Sequence, residues 1–331
     1  MTDRNVCVLG GGAMGTACAQ VLAQQSATKV TLWVRNATFA SHIAETRVNS
    51  RLLPGVELSP SVHVTADPRV IGDAGVVVVC VPTRSLRDAM TEHAERIDPG
   101  ALMVSAIKGI EIETLTRPSE VIQSILGERP VVAFGGPCHA EEVACGKPAS
   151  VVAASNDQQA AQIIQSLFSN QHLRVYSNTD LLGVELGGAL KNVIAIAAGI
   201  SDGLEFGDNA KSALITRGLA EMVRFGSALG ASADTFYGLA GIGDLIATCG
   251  SRHSRNRHVG ERLGRGQTLA EIRDGMQAVA EGVFTAKSIV GIATERGIEM
   301  PIAQEVYRVL FEDKSPREAT MALMQRPLRG E

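Results

Sequence analysis

The chain lacks a long apolar run, paired cysteines, an excess of basic residues and any internal repeat. Each absence removes a class of function. The uninterrupted apolar run from Ala74 to Val81 is far below the roughly 20 residues that span a bilayer, so no membrane insertion is expected. The chain opens MTDRNVCVLG, with Asp3 ahead of a strand pattern that is running by Val6. That is not the charged-then-apolar order of a signal peptide, and a cytoplasmic location is the expectation. Six cysteines (Cys7, Cys18, Cys80, Cys138, Cys145 and Cys249) are scattered without a CxxC pair or a His cluster at zinc-ligand spacing. They read as reduced thiols, most of them small core residues, and no metal site is expected. The formal net charge of −4 leaves no basic footprint for nucleic acid. Any anion the protein binds must be gripped locally.

At 331 residues the chain exceeds the roughly 250 to 300 residues at which single hydrophobic cores stop growing, so two domains are expected. In the first half, short β-branched runs alternate with helical stretches: Val6–Leu9, Val30–Val34, Val62–Thr65, Val76–Val81, Leu102–Ala106, Val131–Phe134, Ser150–Ala154 and Arg174–Tyr176. This alternation is the signature of a parallel sheet covered on both faces. The run VVVVCV is apolar at every position, as a central strand buried on both faces requires. After Asn178 the apolar residues recur at spacings of three and four, and no convincing strand follows. Ser315 before Pro316 reads as an N-cap, and Gly230 and Gly297 as helix ends. The expected fold class is α/β, with a doubly wound Rossmann-type domain over residues 1–178 followed by an all-helical domain over residues 179–331.

The segment VCVLGGGAMGTACAQVLAQQ carries GxGxxG at Gly10, Gly12 and Gly15, between a strand and a helix. The three glycines serve a tight turn, close approach of backbone to pyrophosphate, and close contact of helix with strand. With a second strand, VTLWV, about twenty residues on, this is a dinucleotide signature. An NAD-selective site usually ends that second strand with Asp or Glu, to accept from the ribose 2′-hydroxyl. Here Val34, Arg35 and Asn36 stand there. No carboxylate repels a 2′-phosphate and Arg35 can pair with one, so NADP is expected to be accepted and favoured.

In open α/β sheets ligands bind beyond the carboxyl ends of the strands. Lys108 follows the strand LMVSA, and FGGPCHAEEV follows the next strand and opens a helix, with free N–H groups near Gly136 to Ala140. Position alone leaves Lys108 as a site lysine or an exposed loop residue, and Cys138 as a helix-start residue or a reactive thiol. In the helix GVELGGALKNVIAIAAG, steps of four join Gly183, Gly187, Lys191, Ala195 and Gly199, so Lys191 sits in a stripe of small side chains. Either another helix packs closely there, or substrate and nicotinamide lie against it within reach of Lys191 and Asn192. Asp244 and Thr248 are four apart, on one face if their stretch is helical, where they can orient an ammonium group. Ser254 is a good N-cap, which puts Arg255 and Asn256 in a first helical turn able to grip a phosphate. The bland alternative is a capped helix with a solvated basic face.

Together these segments resemble the bacterial NAD(P)-dependent glycerol-3-phosphate dehydrogenase family over nearly the whole chain. The matching stretches are the glycine turn, SAIKGIE around Lys108, GGPCHAEEV around Gly136, ELGGALKN ending at Lys191 and Asn192, GLAGIGDL with Asp244, SRNR from Ser254, and VAEG with Glu281. The resemblance implies reduction of dihydroxyacetone phosphate to sn-glycerol 3-phosphate by NADPH or NADH, with Lys191 as proton donor and acceptor, supplying glycerophospholipid synthesis. It implies substrate contacts at Lys108, Gly136, Cys138, Lys191, Asn192, Asp244, Ser254, Arg255 and Asn256. Cofactor contacts are implied at Gly10, Gly12, Ala13, Met14, Gly15, Arg35, Lys108, Ala140, Arg255, Val279 and Glu281, and a homodimer is implied as well. One residue departs from the family: Cys138 stands where Ser or Thr is usual, and a thiol is the weaker hydrogen-bonding group. The alternatives are a related β-hydroxyacid or ketopantoate-type reductase, whose substrate is a carboxylate, and a non-catalytic nicotinamide sensor, which needs no buried lysine.

Overall fold

The computed structural model describes residues 4–276, 280–327 and 330. Contacts divide the chain into two compact units, Met1–Lys108 with Thr116–Glu185, and Gly109–Leu115 with Leu186–Glu331.

In the first unit each β-branched run forms a strand: β1 (Arg4–Leu9), β2 (Thr28–Trp33), β3 (Val62–Thr65), β4 (Val76–Val79), β5 (Leu102–Ser105), β6 (Val131–Gly135), β7 (Ala149–Ala154) and β8 (Leu173–Asn178). The helices among them are α1 (Ala13–Leu22), α2 (Ala37–Thr46), α3 (Leu86–His93), α4 (Pro118–Leu126), α5 (Ala140–Ala144) and α6 (Gln158–Phe168). The strands form one eight-stranded sheet in the order β3-β2-β1-β4-β5-β6-β7-β8. Chain order reverses direction across β1 and β4, which makes this a doubly wound, Rossmann-type sheet with its switch point between those two strands.

The apolar runs explain why the sheet is covered on both sides. Val6 and Val8 of β1 join Val76 and Val78 of β4 in one core cluster, with Leu22 of α1 and Ile43 of α2. Cys7 and Leu9 join Val77 and Val79 in the opposite cluster, with Met90 of α3 and Val121 of α4. Each such buried valine or leucine contributes roughly 1.5–3 kcal/mol before conformational entropy is set against it.

The alternation of runs suggests a uniformly parallel sheet, and the structure departs from it at one pair. β7 lies antiparallel to β6, with Gly135 opposite Val152, and β8 then pairs parallel with β7. The connection between β6 and β7 holds only the short α5, too little chain to cross a face of the sheet and return parallel. As a result Gly136 lies against the start of β7. Its φ is +104°, and a Cβ there would stand 3.2 Å from Val151 Cα, so only glycine fits without strain.

The helix α7 (Leu181–Gly203) starts in the first unit and runs on into the second, whose described residues form helices and connecting loops and no strand. There follow α8 (Gly207–Ala228), α9 (Ala233–Tyr237), a π-turn over Leu239–Gly243, α10 (Asp244–Gly250), α11 (Arg255–Gly264) and α12 (Leu269–Asp274). The last three are α13 (Glu281–Arg296), α14 (Pro301–Phe311) and α15 (Pro316–Met324). Among the described residues α7 alone is long and apolar enough to cross a membrane, but 89% of its most apolar window is buried within the protein, which marks a core helix.

The small-residue stripe of α7 is used for helix packing. A Cβ on Gly187 would lie 2.5 Å from the Ala240 carbonyl oxygen, and one on Gly199 only 1.9 Å from that of Arg257. Reciprocally, a Cβ on Gly260 of α11 would lie 1.9 Å from the Ile196 carbonyl oxygen, so α7 and α11 touch backbone to backbone. Helix ends follow the sequence signals. Ser315 caps α15 in a capping box with Glu318, and Gly297 closes α13 in the left-handed region at φ +66°.

Candidate functional site

In the first unit the glycine turn lies beyond the carboxyl end of β1, beside the end of β4. Gly10 has φ +122°, and a Cβ on it would stand 2.9 Å from the Cys80 carbonyl oxygen. A Cβ on Gly15 would lie 1.9 Å from the Gly10 carbonyl oxygen, so the helix start and the strand end are in direct contact. Gly12, the N-cap of α1, is different: the nearest neighbour of a Cβ there is 3.9 Å away. Its outer face is therefore open, where a pyrophosphate can meet the unpaired N–H groups of the first turn. Ala13 and Met14 of that turn pack with Ala140 at the start of α5.

Two residues that hold this turn escape sequence reasoning. Asn49 is almost fully buried, and its side-chain amide donates to the Gly11 carbonyl at 3.0 Å and to Thr16 Oγ1 at 2.8 Å. It lies in a loop with no motif of its own. Gly11 has no room for a side chain, because a Cβ would come within 2.7 Å of Val34. The only trace of this in the sequence is the run of three glycines.

After β2, Asn36 caps α2 by accepting from the Phe39 N–H at 2.8 Å. Arg35 beside it is exposed and has no ion-pair partner among the described residues, so its guanidinium is available to a phosphate. Lys108 is not a solvated loop lysine. Its Nζ donates to the Gly136 carbonyl at 2.9 Å and lies 3.3 Å from Cys138 Sγ, and that thiol donates to the same carbonyl at 3.1 Å. The structure thus gathers Lys108, Gly136 and Cys138.

In the second unit Lys191 is buried on α7. Its Nζ donates to Asp244 Oδ1 at 2.6 Å and to Thr248 Oγ1 at 2.7 Å. The stretch bearing these two partners is helical, as α10, so their spacing of four does place them on one face. Burial pushes the neighbouring Cys249 thiol up to about 12, against the pull of the Lys191 charge, so this cysteine stays a neutral thiol. Asn192 is bound differently: its Oδ1 accepts from Asn256 Nδ2 at 2.8 Å, and Asn256 Oδ1 accepts from the Gly282 N–H at 2.9 Å. That chain fixes the start of α11 against the start of α13, where Glu281 sits.

Ser254 caps α11 by accepting from the Arg257 N–H at 3.2 Å. Arg255, the first residue of that helix, is exposed and without an ion-pair partner among the described residues. Arg257, one turn in, is instead tied to Asp202 at 2.6 Å. The helix start therefore offers free N–H groups and one free guanidinium, a combination suited to a phosphate. Val279 lies outside the described residues.

A family model of the NAD-dependent glycerol-3-phosphate dehydrogenase N-terminus matches residues 5–161, and one of the C-terminus matches residues 180–321. The chain belongs to the NAD-dependent glycerol-3-phosphate dehydrogenase family. It is an oxidoreductase with a nicotinamide cofactor. The glycerol-3-phosphate dehydrogenase (NAD(P)+) of Chlorobium chlorochromatii is 46% identical over 330 residues, covering 98% of this chain and 99% of that protein. That of Geobacillus thermodenitrificans is 47% identical over 332 residues, covering 99% of this chain and 96% of that one. The crystal structure of the Coxiella burnetii glycerol-3-phosphate dehydrogenase superposes with a TM-score of 0.94 at 36% identity, covering 98% of this chain and 99% of the other. Both units of the chain fall within the family.

Proposed function

We propose that this protein reduces dihydroxyacetone phosphate to sn-glycerol 3-phosphate, favouring NADPH over NADH, with Lys191 as the group that gives and takes the proton. The observation that carries the reading is the buried Lys191, whose Nζ is held at 2.6 Å by Asp244 and at 2.7 Å by Thr248. A side chain fixed in direction by two partners is suited to a single proton transfer. A solvated lysine would need no such restraint.

The nicotinamide, when bound, supplies or accepts the hydride. The residues around the glycine turn fit such a group, since Gly12 is open on its outer face and the N–H groups of α1 start there. Arg35 pairs with a 2′-phosphate, which is the basis of the preference for NADPH. Ser254, Arg255 and Asn256 at the start of α11 hold the substrate phosphate. Lys108, Gly136 and Cys138 form a second polar group for substrate and cofactor. Lys191 protonates the carbonyl oxygen in reduction and takes the hydroxyl proton in the reverse direction, while Asp244 and Thr248 orient its ammonium. Work as a cytoplasmic homodimer that supplies glycerophospholipid synthesis follows from the family resemblance.

The test is loss of NADPH absorbance on adding dihydroxyacetone phosphate, repeated with NADH and with a panel of keto acids. Lys191→Ala is expected to lower kcat by about 100-fold or more, the usual range for a lost general acid, with NADPH binding retained. Turnover that survives the substitution removes Lys191 from the mechanism. Turnover of a keto acid in place of the phosphate ester overturns the substrate.

A further inference from the structure

The helices α7 and α11 approach closely, but their contact holds little that sets its angle. Gly199 and Gly203 of α7 meet α11 at the Arg257 and Glu261 carbonyl oxygens, and Gly260 and Gly264 of α11 meet α7 at the Ile196 and Ile200 carbonyl oxygens. Ordinary helix pairs are held at a given crossing angle by ridges of side chains seated in grooves. At these four positions there is no side chain to seat, so ties outside the contact have to set the angle.

Two such ties leave α11 from neighbouring residues. Asn256 Nδ2 donates to Asn192 Oδ1 at 2.8 Å, and Arg257 Nε donates to Asp202 Oδ2 at 2.6 Å. Their anchors on α7 are ten residues apart, roughly 15 Å along the helix axis, and lie on either side of Gly199, where the backbones touch. Two anchors that bracket a contact resist rotation about it, as one anchor cannot. Asp202 is also held from a third helix, since Lys211 Nζ of α8 donates to the same oxygen at 2.9 Å. The side chains of Asp202, Lys211 and Arg257 are only 20%, 19% and 21% exposed. One carboxylate shared by cations from two helices is a network, not the isolated surface pair that contributes little.

We propose that Asp202 is a positioning residue for the phosphorylated substrate: through Arg257 it fixes the angle of α11 on α7, and so keeps the first turn of α11 in register with Lys191. This role rests on reading Ser254, Arg255 and Asn256 as the phosphate grip.

The phosphate and the carbonyl belong to one small molecule, so the α11 start and Lys191 Nζ have to stand apart by its length. Lys191 and Asp202 lie on one continuous helix, and Arg255 and Arg257 on another. A tie between Asp202 and Arg257 therefore carries to the reacting end without touching the substrate. It also holds the Arg257 guanidinium toward α7, which leaves Arg255 as the guanidinium offered at the helix start.

The test compares Asp202→Asn, Arg257→Met, their double substitution and Arg255→Ala, with dihydroxyacetone phosphate as substrate and inorganic phosphate as competitive inhibitor. Asp202→Asn and Arg257→Met are each expected to lower kcat/KM about 10- to 100-fold, the cost of a displacement on the order of 1 Å between reacting groups, and the double substitution to lower it no further than the worse single. The inhibition constant of phosphate is expected to stay unchanged in all three, because the grip is built within α11, whereas Arg255→Ala raises it about tenfold. A general loss of folded structure would move both quantities together. Amide hydrogen exchange should quicken in α11 of Asp202→Asn and stay unchanged in α14. Arg257→Met cuts the same tie from its other end and answers alone if Asp202→Asn fails to fold. An unchanged kcat/KM, losses that add in the double substitution, or a tighter hold on phosphate by a freed Arg257 overturns the positioning role. Native protein that phosphate does not inhibit, or Arg255→Ala with that inhibition intact, overturns the phosphate reading of the helix start instead, and hydrogen exchange then decides whether Asp202 holds α11.

Discussion

Lys191 and Asp244 form a buried ion pair, Nζ to Oδ1 2.6 Å apart, with side chains 7% and 3% exposed. Breaking such a pair by removing one partner leaves a stranded charge and typically costs about 3–5 kcal/mol, whereas replacing both by apolar groups is often close to neutral. Asp244→Ala should therefore lower the unfolding free energy in urea by about that amount. The double substitution Lys191→Met with Asp244→Ala should lose less than Asp244→Ala alone. Losses that simply add would mean that the two groups are not energetically coupled.

Arg35 is exposed beside the capped start of α2 and has no competing ion pair among the described residues. A hydrogen bond to a charged group contributes about 1.5–3 kcal/mol, so Arg35→Ala should raise KM for NADPH by about 10- to 100-fold. KM for NADH should hardly move, because NADH offers no 2′-phosphate. Steady-state kinetics with both cofactors decide the matter, and an unchanged ratio of the two would show that Arg35 plays no part in cofactor choice.

Cys138 Sγ lies 3.3 Å from Lys108 Nζ and donates to the Gly136 carbonyl. A hydroxyl at this place is a stronger donor and acceptor. One improved hydrogen bond is worth about 1 kcal/mol, so Cys138→Ser should lower KM for dihydroxyacetone phosphate about fivefold while leaving that for NADPH alone. A KM for the phosphate that does not fall would place Cys138 away from the substrate.

The sheet and the glycine turn were readable because their signals are local: short β-branched runs of three to six residues, and glycines at fixed offsets before a helix. The reversal of β7 was not, because it depends on how little helix residues 136–148 contain. Asn49 could not be found either, since it holds Gly11 and Thr16 from a loop more than thirty residues away. The stripe on α7 shows a different limit. Small residues at intervals of four announce a close approach, but the pattern does not say of what, and at Gly187 and Gly199 the answer is backbone. Between α8 and α11 the glycines at positions 238, 241 and 243 hide α9 and α10. Gly241 is there for packing, since a Cβ on it would lie 2.0 Å from the Phe236 carbonyl oxygen.

Glu221 on α8 is a buried carboxylate that accepts from the Ile302 N–H at 2.6 Å and the Ala303 N–H at 3.2 Å, and so caps the start of α14 just after Pro301. Burial raises it from 4.5 to about 7, against those two backbone bonds and the charges of Arg224 and Arg326. Between these two values the folded chain holds a proton that the unfolded chain has released. The contribution of Glu221 to stability is thus full below 4.5 and is lost as pH rises to about 7. A shift of this size corresponds to about 3 kcal/mol. Glu221→Gln keeps an acceptor for α14 but cannot titrate. Urea unfolding at about pH 5 and about pH 8 should therefore show the native chain losing about 2–3 kcal/mol more than the variant over that interval. Equal losses would mean that Glu221 is ionised across the whole range, its two backbone bonds outweighing its burial.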